Sequence, residues 1–266
     1  MFSLKDKNII VMGGTSGLGL SAAKHFMLMG AHVVAIGRDA ETCNQAAEIL
    51  GENATVISGD ATNPATIEKV IAMFTSESRT IHGLFHVAGG SGRKFGDGPL
   101  HELTLDGWNK TMELNLTSLM ISNQAMVKYF IEHKLPGTIL NMASVLGYSP
   151  APKYFVTHAY AASKAAIIGF SQSIAAYYAP YDIRVNVIAP SLFVTPMAKR
   201  ATEDEAIMAY VKTKQPLDNG RAGHPEDIAG AACYFMSDMS SFTTGQVLAV
   251  DGGWHLSDGQ YSEKSK

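Results

Sequence analysis

Seven short runs of apolar and β-branched residues recur along the chain: NIIVM (8–12), HVVAIG (32–37), ATVIS (54–58), GLFHVA (83–88), TILNMA (138–143), IRVNVIA (183–189) and QVLAV (246–250). No other feature restricts the possible folds so strongly. Runs this short and this uniformly apolar suit strands buried on both faces, because a strand with one wet face alternates polar and apolar residues. Between them lie stretches of helical character, at roughly 17–29, 40–50, 64–76, 106–133, 158–179 and 225–237. Strand–helix alternation repeated in this way predicts an α/β fold: a parallel sheet with helices on both faces. No linker or compositional break divides residues 1–266, and 46% hydrophobic with 17% charged residues is ordinary globular composition, so one large domain is predicted. Three pieces read as exposed: 90–104, rich in glycine and charge; 191–220; and the polar tail 255–266.

Several function classes are disfavoured. A formal net charge of -3 is not the basic surplus of a nucleic-acid binder. Cys43 and Cys233 are far apart with no CxxC spacing, which predicts buried free thiols and neither a zinc site nor a disulfide. The N-terminal MFSLKDKNII lacks the pattern of a secretory signal, and no apolar run reaches membrane-spanning length. A soluble, cytoplasmic protein is expected, with no membrane partner.

The first apolar run leads straight into GGTSGLG (13–19) and then an alanine-rich helix. Gly13, Gly17 and Gly19 permit a tight turn and close backbone approach, and the helix N-terminus presents free N–H groups to an anion. This is dinucleotide-phosphate chemistry, although the spacing is G-x-x-x-G-x-G and not the commoner G-x-G-x-x-G. Further on, AYAASKAA (159–166) places Tyr160 and Lys164 one turn apart on a face of a small-residue helix. With reference pKa values near 10 and 10.4, neither is a useful acid or base alone at neutral pH. An ammonium held beside a phenol favours the phenolate, so the pair predicts a tyrosine tuned for proton transfer. Tyr148 and Tyr154 have no lysine four residues on.

GGTSGLG near the N-terminus, NMASVLG (141–147), YAASK (160–164) and GQVLAVDGGW near the end are similar, in order and spacing, to the short-chain dehydrogenase/reductase family. The resemblance runs from about residue 5 to 254. It implies a single Rossmann-type, doubly wound domain with a seven-stranded parallel sheet, and hydride transfer dependent on NAD(H) or NADP(H). It also implies a catalytic set matching Asn115, Ser144, Tyr160 and Lys164. Lys164 would also hold the nicotinamide ribose, and Asn115 would expose a main-chain carbonyl to a relay water. Ser144, at the C-terminal end of a strand, would bond the substrate oxygen; no G-x-S-x-G elbow marks it as a nucleophile.

The cofactor residues follow from the same likeness. Gly13, Thr15, Ser16, Gly17, Leu18 and Gly19 form the phosphate loop, Asp60 with Ala61 meets adenine, and Ala88 and Gly89 approach the ribose and ring. Pro190, Phe193 and Thr195 match P-G-x-[VI]-x-T, with Ser191 in place of glycine, and would hold the carboxamide. Arg38 follows the second strand where an acid would favour NAD; a guanidinium there, with room at Gly37 and a hydroxyl from Thr15 or Ser16, favours NADP(H). Asp39 would oppose this only if the strand ended one residue later. Asp60 could instead cap the helix near Pro64. Two departures stand out: His86-Val87 replaces the family's Asn-Asn, with His86 able to supply one lost hydrogen bond, and the Ser144–Tyr160 interval is a few residues longer than the family's common spacing.

The expected function is therefore an NADP(H)-dependent carbonyl reductase or alcohol dehydrogenase. The alternatives are a 2,4-dienoyl or other thioester reductase, or a cofactor-binding regulatory protein without turnover. Segment 191–220 is the expected substrate lid, with Met197, Ile207, Met208 and Tyr210 available to line it, and Arg93, Lys94, Lys199 and Arg200 available to an anionic substrate. Small and apolar residues on several faces of helix 158–179 predict a homotetramer, or a dimer, with two-fold interfaces. No metal is expected.

Overall fold

The structure is a computed structural model, which describes residues 3–260. The last part of the tail, 261–266, lies outside the described residues. Seven strands form one all-parallel sheet: β1 (Asn8–Met12), β2 (His32–Gly37), β3 (Ala54–Ser58), β4 (Gly83–His86), β5 (Gly137–Met142), β6 (Ile183–Pro190) and β7 (Val247–Val250), in the order β3-β2-β1-β4-β5-β6-β7. The five inner runs become strands because both faces are covered, whereas the edge strands β3 and β7 are only partly covered, contrary to the uniform burial expected. Successive β1 residues point to opposite sides, so Ile9 and Val11 join one core layer while Ile10 and Met12 join the other. The first layer holds Phe26 of α1 (Gly17–Leu28) and Ala232 and Phe235 of α9 (Ala229–Met236). The second holds Val70 and Phe74 of α3 (Pro64–Ser76) and Met126 and Phe130 of α5 (Ser118–His133).

Strand order reverses between β1 and β4, and there a crevice opens at the carboxyl ends of the strands. The run expected at 83–88 pairs only to His86. Beyond it Val87 and Ala88 both donate their amides to the Met12 carbonyl, at 2.8 and 2.9 Å, which brings β4's exit against the glycine loop.

Two helices depart from expectation. The single helix anticipated at 106–133 is α4 (Leu105–Met112) and α5, joined by a π turn at Glu113–Thr117. The Ser118 amide bonds the Glu113 carbonyl five residues back, while Asn115 Nδ2 takes the Thr111 carbonyl at 2.9 Å. The helix expected from 225 opens as a 3-10 turn, Pro225–Ile228, before α9. Segment 191–220 is not plain loop: it contains α7 (Lys199–Thr202) and α8 (Glu205–Lys214). These pack with Val145, Ala151 and Trp254 in a separate apolar cluster.

Candidate active site

The crevice is built first from glycine. Gly13 and Gly17 have φ of 86° and 49°, in the left-handed region where a side chain is strained. At Gly19 a Cβ would lie 2.0 Å from the Gly13 carbonyl oxygen, so only glycine lets α1 sit this close to the end of β1. The first turn of α1 carries no acid, and its N-cap, Ser16, makes no side-chain cap bond. The amides at that end therefore have no side-chain cap. Across the crevice, Thr195 Cγ2 lies 3.3 Å from where a Gly17 Cβ would stand, placing the segment after β6 against the glycine loop. Leu18 turns into the core layer under α1.

At the tip of β2, Arg38 is exposed and forms no ion pair among the described residues. Asp39 is the N-cap of α2 (Ala40–Leu50), accepting from the Thr42 amide at 2.9 Å, so the strand does end before it. The space expected at Gly37 is already filled: a Cβ there would meet Thr15 Oγ1 at 1.9 Å. Thr15 is buried with its hydroxyl beneath β2, facing Cys43, and is not turned outward as a donor; Ser16 is the exposed hydroxyl of the pair. Asp60 does not cap α3, a role taken by Asn63. Its Oδ1 accepts from the Thr62 amide and hydroxyl, at 2.9 and 2.8 Å. Burial pushes the Asp60 carboxyl up, but those bonds and the charges of Arg38 and Lys110 outweigh it and hold the group below its ordinary value. Ala61 and Ala88 both pack partly into the second core layer beside this edge.

Tyr160 and Lys164 lie in α6 (His158–Tyr178), as predicted. Their relation differs from the expected one. Lys164 is buried and donates to the Met142 carbonyl at 2.9 Å, with Nζ 5.5 Å from the Tyr160 ring centre. Burial lowers its pKa to about 8. The Tyr160 phenol is raised to about 12, not depressed: burial dominates, and a hydrogen bond with Ser144 only partly opposes it. Ser144 follows β5 by two residues, accepts from the Leu146 amide at 3.2 Å and donates to the Pro190 carbonyl at 3.4 Å. The turn after it presses on α6, for a Cβ at Gly147 would be 2.8 Å from the Ala165 amide.

Asn115 is fully buried in the π turn and grips the Gly90 backbone twice: Nδ2 donates to the carbonyl at 2.9 Å and Oδ1 accepts from the amide at 3.1 Å. A Cβ at Gly89 would meet Asn115 Oδ1 at 2.6 Å and Lys164 Nζ at 3.7 Å. The exit of β4, the π turn and α6 thus converge on Asn115, Ser144, Tyr160 and Lys164. His86 does not replace a family asparagine at the crevice. Its ring is buried against α5, with Nδ1 2.7 Å from Ser122 Oγ, and burial followed by the Lys164 charge lowers its pKa to about 3. It is a neutral core histidine. Phe193 also turns inward: its ring packs over Gly223 within the first core layer, and the chain there bridges to Gly223. Ser191, by contrast, has a buried hydroxyl without a partner among the described residues. The described residues contain no cluster of His, Cys, Asp or Glu able to hold a metal ion.

One residue escaped the sequence reading. Asp97, buried in the segment after β4, accepts from the Ala159 amide at 3.0 Å and the Tyr160 amide at 2.9 Å. It caps the helix that carries the tyrosine, whose own N-cap, Thr157, makes no side-chain bond. The only signal was a lone acid between glycines, with no sequence neighbour to suggest its partner.

Comparison with known proteins agrees with this architecture. The family profile described as enoyl-(acyl carrier protein) reductase matches residues 13–255. An NAD-dependent glycerol dehydrogenase of Listeria innocua is 33% identical over 255 residues, 96% of each chain. A 3beta-hydroxysteroid dehydrogenase of Eggerthella lenta is 32% identical over 258 residues, again 96% of each. Among solved structures, a gluconate 5-dehydrogenase from Burkholderia cenocepacia, in complex with NADP and tartrate, superimposes with a TM-score of 0.86 at 28% identity, covering 96% of this chain and 98% of that one. With a seven-stranded Rossmann sheet, a tight glycine-built turn between β1 and α1 and relatives of this length and identity, the chain is an oxidoreductase of the short-chain dehydrogenase/reductase family.

Proposed function

We propose that this enzyme moves a hydride between NADP(H) and a ketone or secondary alcohol, with Tyr160 giving or taking the substrate proton. The observation that carries the reading is a half-buried Tyr160 one helical turn from the buried Lys164, with Ser144 beside it, at the carboxyl edge of the sheet. The nicotinamide, when bound, supplies or accepts the hydride. In reduction the Tyr160 O–H donates its proton to the carbonyl oxygen, while the Ser144 hydroxyl donates to the same oxygen and steadies its developing charge. Lys164 holds a positive charge beneath the phenol, and its burial keeps that charge from being screened. Asn115 acts through the Gly89–Gly90 backbone it holds, with its main-chain carbonyl as the relay acceptor. Ser16, the α1 amides and the unpartnered Ser191 hydroxyl are suited to the phosphates and carboxamide. Exposed Arg38, with Asp39 occupied as a cap, favours the 2′-phosphate. The named relatives are dehydrogenases of glycerol, a hydroxysteroid and gluconate, so carbonyl–alcohol exchange is preferred to thioester reduction.

Tyr160→Phe tests the reading. Turnover should fall about 10²–10⁴-fold, with NADPH affinity nearly kept. In the wild type, a phenol near 12 keeps its proton through neutral pH. Reduction should therefore be flat there, and oxidation, which needs the phenolate, should climb with pH by up to about tenfold per unit. A variant with more than about a tenth of wild-type kcat would overturn the role.

No described helix is long and apolar enough to cross a membrane, and the proposed setting is the cytoplasm. We also propose a homotetramer with two-fold interfaces. Tyr177 on α6 and Phe242 and Leu248 around β7 are 68%, 103% and 41% exposed, on elements at one edge of the sheet. A monomer by light scattering at micromolar concentration would rule it out.

A further inference from the structure

Two arginines from distant parts of the chain meet at one backbone oxygen. Arg93, in the 3-10 turn Gly92–Phe95 after β4, and Arg200, in α7, both donate through Nη2 to the Tyr154 carbonyl, at 3.3 and 3.4 Å. Lys153 adds a third cation, its Nζ 5.1 Å from the Tyr154 ring centre. Both arginines are exposed, so solvent screens part of their mutual repulsion, and one neutral carbonyl does not offset the rest. Neither arginine has an ion-pair partner among the described residues. The acid whose charge reaches Arg93 is Asp97, and both its oxygens are engaged by the α6 amides. Partial burial, and then the neighbouring Arg200 charge, lower the Arg93 pKa from its ordinary value. An anion would relieve that repulsion.

The position of the pair says which anion. The phosphate loop and Arg38 are at the ends of β1 and β2, whereas Arg93 and Arg200 touch the loop that joins Ser144 to Tyr160. Arg93 precedes Asp97 by four residues, and Asp97 holds the Tyr160 amide. Arg200 comes from the segment above β6, and the Tyr154 ring meets Tyr210 of α8 at 5.3 Å. The pair thus spans the gap between two walls of the substrate side, beside the first turn of α6.

We propose that Arg93 and Arg200 bind the carboxylate of a small hydroxy or keto acid, so that the substrate is an acid held with its reacting carbon at Tyr160. Planar guanidiniums match a carboxylate with paired, charge-assisted hydrogen bonds. In oxidation the carbinol carbon loses its hydride to NADP and the hydroxyl loses its proton to Tyr160; the carboxylate takes no part in bond changes. The Tyr154 carbonyl holds the two side chains in place until the acid arrives. This inference rests on the Tyr160 reading above.

Two measurements separate the two ideas. The first titrates the NADP-loaded enzyme with tartrate as probe, in the wild type and in Arg93→Gln, Arg200→Gln and the charge-keeping Arg93→Lys. Tartrate affinity should drop roughly tenfold or more in each Gln variant and less in the Lys variant, and should weaken with salt. The second compares kcat/KM for hydroxy acids with that for their neutral amides, expected to favour the acids by roughly tenfold or more. Unchanged tartrate binding in both Gln variants, tighter binding of inorganic phosphate than of tartrate, or equal kcat/KM for acid and amide would overturn the carboxylate site. Arginine-dependent tartrate binding without turnover of any alcohol or ketone would uphold the site and refute the Tyr160 reading. Turnover of neutral ketones with no tartrate binding would do the reverse.

Discussion

The two walls of the crevice are made by different means. On the β1–β2 side the fit is between backbones: Gly13 against the Ala88 amide at 2.6 Å, and Gly19 against the Gly13 carbonyl at 2.0 Å, measured from where a Cβ would be. On the β5–β6 side the fit is between aromatic side chains. Tyr154, Phe155, Tyr210 and Trp254 form a tilted and edge-to-face cluster, with ring centres 5.3 to 5.8 Å apart. A backbone fit tolerates almost no substitution, whereas an aromatic cluster can be rebuilt with other side chains of similar volume. One wall suits a ligand that never changes, and the other a ligand that differs between relatives.

The contrast can be broken at its stiff end. Gly19→Ala forces α1 off the end of β1, because the new methyl would sit inside the Gly13 carbonyl. We expect about 1–3 kcal/mol of lost stability and a loss of nucleotide binding larger than any lid substitution causes. Urea unfolding and NADPH titration measure both; wild-type values in each would mean that the backbone fit does not limit binding. A smaller effect sharpens the contrast. Arg38→Ala should cost NADPH about ten- to a hundredfold in affinity while leaving NADH unchanged, as one charge-assisted contact is worth roughly 1.5–3 kcal/mol. Tighter NADH than NADPH binding in the wild type would reject the cofactor assignment.

The inner strands were legible almost to the residue, because burial on both faces leaves an unbroken apolar signature, and the partly exposed edge strands β3 and β7 were legible from their β-branched and apolar residues. The glycine loop and the Tyr160–Lys164 pair were legible for a related reason, since each is a local spacing on one element. What could not be read was distance in space. The i+4 rule placed Lys164 near Tyr160 but not its turn toward Met142, nor the burial that lifts the phenol. His86 looked like a crevice residue because strand ends face the crevice, yet its ring points to Ser122 on α5. Gly37 looked like open space until Thr15 was found in it. Ile207, expected to line a pocket, is buried in the lid's own core.

Asp97 has a bearing on how faults would propagate. Its carboxylate is the joint by which a glycine-rich surface segment is fastened to the backbone of the tyrosine itself. A shift of that segment is handed on to the phenol with little slack, and proton transfer is sensitive to displacements of about 1 Å. Gly92 and Gly107, where a Cβ would lie within 1.8 Å of Thr111 Oγ1 and 2.6 Å of the Gly96 carbonyl carbon, clamp the segment from behind. With Tyr160 in the proposed role, rigidity in a stretch of chain that bonds no reacting atom becomes part of the enzyme's chemical tolerance.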